Sequence, residues 1–101
     1  MITSKMKRRI KRELSAEKPT IWVGKEGVNP RMINEVLKQL EKREMVKIRI
    51  LKSALEGEEA RGIAARIAQQ TDSTLIDVRG HTLILYKPRR RKGIAKPREL
   101  L

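Results

Sequence analysis

The chain has no cysteine and no phenylalanine, and tryptophan and tyrosine occur once each among its 101 residues. The lack of cysteine excludes disulfides and thiolate metal sites, and it allows a reducing compartment. Without phenylalanine, the core of a single domain of this length has to be built from aliphatic side chains and methionine. No apolar run approaches transmembrane length and the N-terminus lacks the apolar segment of a signal peptide, so we expect a cytoplasmic protein.

Side chains that carry out catalysis are also scarce. His81 is the only histidine, and it lies at a predicted hairpin without a pattern of partner carboxylates. The sequence has no metal-ligand cluster, no nucleophile–base arrangement and no nucleotide-binding P-loop of the form Gly-x-x-x-x-Gly-Lys-Ser/Thr. We therefore predict a binding protein rather than an enzyme, with no cofactor and no small-molecule substrate.

Positive charge is what the chain has in excess, with 25 lysines and arginines against 12 aspartates and glutamates and a net charge of +13. Residues 1–14 carry a net +5 and residues 87–101 a net +6, whereas residues 15–86 carry only +2. Two basic arms around a near-neutral middle favour a polyanionic partner. RNA and DNA are the leading candidates, because the region around Arg89–Arg91 has no apolar face that could insert into a membrane surface.

Hydrophobic periodicity predicts three helices and four strands. Met6, Ile10 and Leu14 recur at every fourth residue and form the narrow apolar stripe of a basic first helix. Asn29 is a good N-cap for the second helix, and Pro30 suits its first position. The last two strands are joined by a tight hairpin. The predicted elements are helices over residues 4–14, 30–43 and 60–71 and strands over residues 20–23, 46–51, 74–79 and 82–86.

This order of elements predicts an α/β fold, α-β-α-β-α-β-β, around a four-stranded mixed sheet. The two strand-helix-strand crossovers should be right-handed and place the second and third helices on one face. The helices then lie mainly on one face, and the other face is open or partly covered. We expect one domain over residues 1–88, followed by a basic tail over residues 89–101 that is disordered when unbound.

The stretch from Val23 to Pro30 is the strongest candidate for a site. An apolar strand enters it, Gly24 and Gly27 bracket a charged pair, and Asn29 opens a helix. Such a turn exposes backbone N–H groups beside the positive end of a helix dipole, which suits a phosphate. A purely structural role for the two glycines, in positive φ or close packing, is the alternative.

Three segments carry a resemblance to a known family: residues 18–28 (KPTIWVGKEGV), 40–48 (LEKREMVKI) and 79–87 (RGHTLILYK). In this order and spacing they resemble the CRM domain (chloroplast RNA splicing and ribosome maturation) in its single-domain YhbY-type form. The resemblance implies a fold similar to the C-terminal domain of bacterial translation initiation factor three. It also implies RNA binding, since stand-alone prokaryotic members are associated with precursors of the large ribosomal subunit.

The resemblance further implies a role for the glycine loop, which the family shares in form with the GXXG loop that clamps a nucleic-acid backbone in KH domains. Glu26 departs from the neutral or basic residue expected in such a loop, so either its side chain points away from the phosphates or Lys25 and Arg31 carry the contact. The candidate RNA-contacting residues are Gly24, Lys25, Glu26, Gly27, Asn29 and Arg31 in the loop and helix start, Lys7, Arg8, Lys11 and Arg12 in the first helix, Lys47 and Arg49 in the second strand, and Arg89, Arg90 and Arg91 in the tail.

Several side chains allow two interpretations. Trp22 could stack on a base, but we favour a place in the core, because a chain without phenylalanine needs bulk there. We likewise expect Tyr86 to pack rather than stack. Lys47 and Arg49 lie on the strand face opposite the apolar residues of β-strand two, where they either extend an RNA surface or keep an exposed sheet soluble.

The function predicted from the sequence is binding of ribosomal RNA, or of a large-subunit precursor, by a monomer that assists ribosome assembly. Two alternatives stay open. Alba-type proteins, which coat nucleic acid, have a similar order of strands and helices and a similar basicity, and they would prefer duplex DNA. An integral ribosomal protein would stay on mature subunits, whereas an assembly factor leaves them.

Overall fold

The computed structural model of the protein describes residues 3–55 and 59–88. These residues form the elements in the predicted order, and most predicted ends agree within one residue. The predicted tail lies outside the described residues. The elements are α1 (Ser4–Ser15), β1 (Ile21–Val23), α2 (Pro30–Arg43), β2 (Met45–Ile50), a 3-10 turn (Lys52–Ala54), α3 (Ala60–Thr71), β3 (Thr74–Arg79) and β4 (Thr82–Tyr86).

The four strands form one mixed sheet in the order β1-β2-β4-β3. β1 runs parallel to β2, and β4 is antiparallel to both of its neighbours, β2 and β3. The hairpin between β3 and β4 turns at Gly80, whose φ of +61° lies in the left-handed region that glycine adopts without steric cost. A register irregularity in β3 falls between Leu75 and Asp77. The predicted fold class is confirmed.

The main core lies between the sheet and the pair α2 and α3. In β2 every second residue faces these helices, and the three residues concerned, Val46, Ile48 and Ile50, are at most 2% exposed. The cluster consists of aliphatic side chains and one methionine, as the composition predicts. Its buried members are Ile21, Val23, Met32, Ile33, Val36, Leu40, Val46, Ile48, Ile50, Ile63, Ala64, Ile67, Ala68, Leu83 and Leu85.

Helix α1 crosses the opposite face of the sheet and covers only part of it. Ile10 and Leu14 from the predicted stripe pack on Ile76 and Ile84 in a second, smaller cluster. Tyr86 packs against this cluster, which confirms its expected packing role. α1 therefore covers the end of the sheet at which β2 begins and β4 ends, and it leaves the other end of that face uncovered.

Side chains fix the ends of the helices. The Oγ1 atom of Thr3 accepts a hydrogen bond from the N–H of Met6 at 3.1 Å and caps the start of α1. At the end of α3, the ammonium of Lys87 donates to the carbonyl of Thr71 at 3.0 Å. A cation at a helix C-terminus is favourable because the last carbonyls lack intrahelical partners and carry the negative end of the dipole.

Candidate nucleic-acid interface

The turn after β1 is closed by one backbone hydrogen bond and depends on one glycine. The N–H of Gly27 donates to the carbonyl of Gly24 at 2.8 Å, which leaves Lys25 and Glu26 exposed between them. Gly27 has a φ of +70°, a conformation that costs other L-residues about 1–2 kcal/mol. At Gly24 a Cβ would make an ordinary contact, 3.8 Å from Cδ1 of Leu51. The second glycine is thus required by the backbone, and its amide is engaged within the turn.

The start of α2 is capped as predicted. Oδ1 of Asn29 accepts from the N–H of Met32 at 2.8 Å, and Pro30 occupies the first helical position. The Nδ2 atom of the same asparagine donates to Oε1 of Glu26 at 3.3 Å. Glu26 therefore ties the loop to the helix cap, and its carboxylate offsets part of the positive potential at the helix N-terminus. A phosphate binding there competes with this carboxylate.

The six predicted loop and helix residues line one open groove beside the edge strand β1, with a volume of about 600 Å³. Trp22 lines the same groove. The cations of the groove are Lys25 and Arg31, both exposed, and they are matched by the carboxylates of Glu26 and Glu35. The groove brings the six predicted residues together. Its two cations and two carboxylates balance, so the excess positive charge of the chain lies outside it.

The uncovered end of the sheet presents a row of four side chains, one from each strand, which we call the open row. Strand pairing places Trp22 beside Arg49, Arg49 beside Thr82, and Thr82 beside Arg79. Each of these residues alternates with one that packs in the main core, so all four belong to the face that α1 crosses. The row begins at the groove and crosses the whole sheet.

Trp22 is 54% exposed, so the predicted core position is wrong. The neighbours Ile21 and Val23 are buried toward α2 and α3, and the period of two in a strand turns the residue between them to the opposite face. On that face α1 covers only the end of the sheet at which β2 begins, so Trp22 at the opposite end stays exposed. The core is filled by aliphatic residues and Met32, which removes the reason for expecting an aromatic ring in it.

Lys47 has a structural contact that neither sequence interpretation anticipates. Its ammonium donates to the carbonyls of Leu14 at 2.9 Å, Ser15 at 3.3 Å and Glu17 at 2.8 Å. An ammonium has three N–H donors, so these carbonyls use all of them. Lys47 thus joins β2 to the C-terminal end of α1. Arg49, two residues further along the same face, is exposed in the open row.

The basic residues of α1 lie away from the glycine loop. Lys11 is half-buried and lines a second cleft of about 180 Å³, between α1 and the sheet, together with Arg79 and Thr82. The open row runs from the groove to this cleft, because Trp22 lines the groove and Arg79 and Thr82 line the cleft. Three further predicted contacts on this helix are exposed, and they are Lys7, Arg8 and Arg12. The predicted contacts Arg89, Arg90 and Arg91 lie outside the described residues.

Sequence reasoning missed Thr82 and Arg79 as parts of a surface with Trp22. Each lies at a strand end, and nothing local distinguishes it from an ordinary solvated residue. Their proximity depends on the strand order, which inserts β4 between β2 and β3. The alternation of core and outward residues along each strand predicts that both residues lie on the face opposite the core. Only the pairing of the strands shows that they are neighbours.

Among the described residues, the pair Glu17 and Arg43 has shifted pKa values, and it does not line the groove. The guanidinium of Arg43 donates to both carboxylate oxygens of Glu17, at 3.0 and 2.9 Å. This hydrogen bonding lowers the pKa of Glu17 and raises the pKa of Arg43. Over residues 3–55 and 59–88, no three His, Asp or Glu side chains form a possible metal site, and no helix is long and apolar enough to cross a membrane.

The groove and the open row together offer cations and one aromatic face on a small α/β domain. The family model of the CRS1 / YhbY (CRM) domain matches residues 2–87, nearly all of the described chain. The chain belongs to the CRS1/YhbY (CRM) family, which confirms the resemblance found in the sequence.

Three relatives illustrate this membership. A probable RNA-binding protein of Methanocaldococcus jannaschii is 37% identical over 97 residues, covering 94% of this chain and 72% of the relative. The probable RNA-binding protein YqeI of Bacillus subtilis is 33% identical over 87 residues, covering 86% of this chain and 88% of the relative. The solution structure of a hypothetical protein of Staphylococcus aureus superposes with a TM-score of 0.72 at 26% identity, covering 95% of this chain and 98% of that one.

Proposed function

We propose that this protein binds RNA, and that its ligand is ribosomal RNA or a precursor of the large ribosomal subunit during assembly. Membership of the CRS1/YhbY (CRM) family, and relatives named as probable RNA-binding proteins, support RNA over other polyanions. The observation that carries the proposal is the groove, which gathers all six predicted loop and helix residues beside an exposed tryptophan.

Two parts of the surface contribute to RNA binding in different ways. Lys25 and Arg31 contact backbone phosphates at the glycine loop and the start of α2. The exposed cations of α1 supply attraction that does not depend on sequence. This division follows from the charge of the groove, where Glu26 and Glu35 balance its two cations. The groove therefore positions the backbone, and most of the long-range attraction comes from the rest of the basic chain.

Binding is the whole of the proposed activity, with a monomer as the binding unit. An Alba-like coating protein would prefer duplex DNA to structured RNA, and an integral ribosomal protein would stay on mature subunits at a stoichiometric level. Competition between these nucleic acids, and fractionation of precursor and mature subunits, distinguishes these alternatives from an assembly factor.

The proposal is tested by crosslinking in cells, followed by sequencing of the bound RNA. We expect one cluster of crosslinks on large-subunit ribosomal RNA or its precursor. Lys25→Glu should reduce the cluster, because it reverses a charge at the tip of the loop. Lys38→Glu is the matched control, since Lys38 is exposed on α2 about two turns beyond Arg31 and does not line the groove. Crosslinks spread evenly over unrelated transcripts would contradict the assignment to ribosomal RNA.

A further inference from the structure

We propose that the open row is a platform for single-stranded RNA, on which an unpaired base stacks against Trp22 while the strand continues past Arg49 toward Arg79. This inference rests on the proposed function and names the form of RNA bound, which is an unpaired segment next to the glycine loop. It also assigns recognition to the face of the sheet that carries α1, rather than to the loop alone.

The first observation is the geometry of the open row. Its four residues are partners in register across all four strands, so they lie side by side rather than scattered over the face. Neighbouring strands are about 4.8 Å apart, so the row spans about 14 Å. This length suits two or three nucleotides, the number that sheet platforms of RNA-binding domains hold on their aromatic residues.

The second observation is the exposure of an aromatic ring beside the loop. Trp22 and Leu51 are the large hydrophobic side chains that the described residues leave exposed, at 54% and 38%. They flank the same point of the chain, because the N–H of Leu51 donates to the carbonyl of Val23 at 2.9 Å, directly before Gly24. Apolar surface that is left in water at one place, next to a polar site, marks a contact surface.

The third observation is the charge that surrounds this ring. Arg49 is exposed and has no hydrogen bond or ion pair with the part of the chain that the structure describes. The side chain of Arg79 is 81% exposed, and its nearest carboxylate, that of Asp77, lies 3.8 Å away. A guanidinium can contact a phosphate or stack on a base. An aromatic face interleaved with arginines is the usual composition of a single-strand binding surface.

These observations favour unpaired RNA over other occupants. A duplex keeps its base faces stacked inside the helix, so it cannot present one to the indole, whereas unpaired bases can be splayed onto aromatic side chains. A second protein copy would need a larger apolar area than one ring bordered by two arginines and a threonine. The strand can then reach the cleft beside Lys11, where Arg79 and Thr82 are part of the lining.

The test uses the fact that Trp22 is the only tryptophan of the chain, so its fluorescence reports on this position alone. The probes are single-stranded RNA oligonucleotides of about ten nucleotides, within the site sizes of single-strand binding folds, and an RNA duplex of the same sequence. We expect the single strand to quench the fluorescence and shield the ring from acrylamide. We expect the duplex to bind more weakly and leave the emission nearly unchanged.

Variants separate stacking from charge. Trp22→Ala should weaken single-strand binding about fivefold to a hundredfold, with the salt dependence of the affinity unchanged, since no phosphate contact is lost. Trp22→Tyr should retain most of the affinity. Arg49→Ala should weaken binding and lower the log–log salt slope by about 0.7. Arg61→Ala is the matched control, because Arg61 is exposed on α3, on the other face of the sheet.

Each outcome has a definite meaning. If Lys25→Ala weakens RNA binding and Trp22→Ala does not, the platform is wrong and the proposed function stands. Equal binding of duplex and single strand without a change in emission also overturns the platform. If Trp22→Ala changes the oligomeric state instead of the affinity, the row is an interface between protein copies. If the parent protein binds no RNA at all, the proposed function itself fails, and the platform fails with it.

Discussion

Lys47 and Arg49 offer the sharpest test of the structural reasoning, because they share a strand and a face but differ in their contacts. We predict that Lys47→Met destabilises the fold and leaves RNA affinity unchanged, whereas Arg49→Met does the reverse. Methionine keeps an unbranched apolar stem in both variants and removes one positive charge from each. The two substitutions are therefore matched in charge and nearly matched in shape.

The magnitude for Lys47→Met follows from the three carbonyls that its ammonium contacts at 2.8–3.3 Å. Hydrogen bonds to a charged group contribute about 1.5–3 kcal/mol, and a cation at a partly buried helix C-terminus adds up to about 2 kcal/mol. These contributions overlap in one half-buried side chain, so we expect a loss of about 2–3 kcal/mol in the free energy of unfolding. For a domain of this size the melting temperature then falls by about 10–20 °C.

The measurement is urea and thermal unfolding of the parent and both variants, followed by RNA titration well below the lowest melting temperature. Arg49→Met should change the unfolding free energy by less than about 0.5 kcal/mol, as exposed substitutions usually do. The reasoning is refuted if Lys47→Met unfolds like the parent but binds RNA more weakly. In that case the lysine would be an RNA contact that leaves its three carbonyls when the ligand arrives.

Three further predictions concern the loop and the surface ion pair. Gly27→Ala should lower the unfolding free energy, measured by urea denaturation, by about 1–2 kcal/mol. The cause is the φ of +70° at Gly27 rather than a clash, because no atom lies within 4 Å of an added Cβ. Gly24→Ala should lower the unfolding free energy by less. Lys25→Ala should lower the log–log salt slope of RNA binding by about 0.7, measured by titration at several salt concentrations. The hydrogen bonds from Arg43 hold the pKa of Glu17 below its ordinary value, so this carboxylate stabilises the fold at neutral pH and loses that contribution as the pH falls through the lowered pKa. Glu17→Gln should therefore lower the unfolding free energy by less than about 1 kcal/mol at neutral pH, since the ion pair is exposed. The difference between variant and parent should vanish once the parent carboxyl is protonated. Unfolding at several pH values measures this dependence.

The secondary structure was largely predictable because its signals are local. The start of α2 is an example, since Asn29 and Pro30 act within one turn of the helix and need no knowledge of the rest of the chain. The alternation of Val46, Ile48 and Ile50 likewise identified the buried face of β2. Even the loop geometry was partly local, because the contact from Glu26 to Asn29 spans only three residues.

The misreadings concern long-range packing. Composition predicts Trp22 in the core, but the exposure of this side chain depends on which end of the sheet α1 covers. Lys47 looked like a surface charge, and its partners lie about 30 residues earlier in the chain. Neither contact leaves a signal in the sequence around the residue. Tertiary packing alone decides whether a lysine on an outward face meets water, RNA or the end of a helix.

The candidate site could be predicted only in part, because half of it depends on the same long-range packing. Its loop half is contiguous in sequence and carries a recognisable pattern, so Gly24, Lys25 and Arg31 could be chosen directly. Its sheet half is assembled from four strands, and Thr82 and Arg79 join one row with Trp22 only through the strand order. A site that combines a local motif with a distant surface is therefore found first by its motif.

Whether RNA lies along the groove and the open row can be measured by photocrosslinking the protein to RNA and mapping the crosslinked residues by mass spectrometry. We expect crosslinks at Trp22 and at the loop around Lys25, with weaker ones along α1. Crosslinks confined to the exposed surfaces of α2 and α3, such as the peptide that carries Arg61, would contradict this expectation.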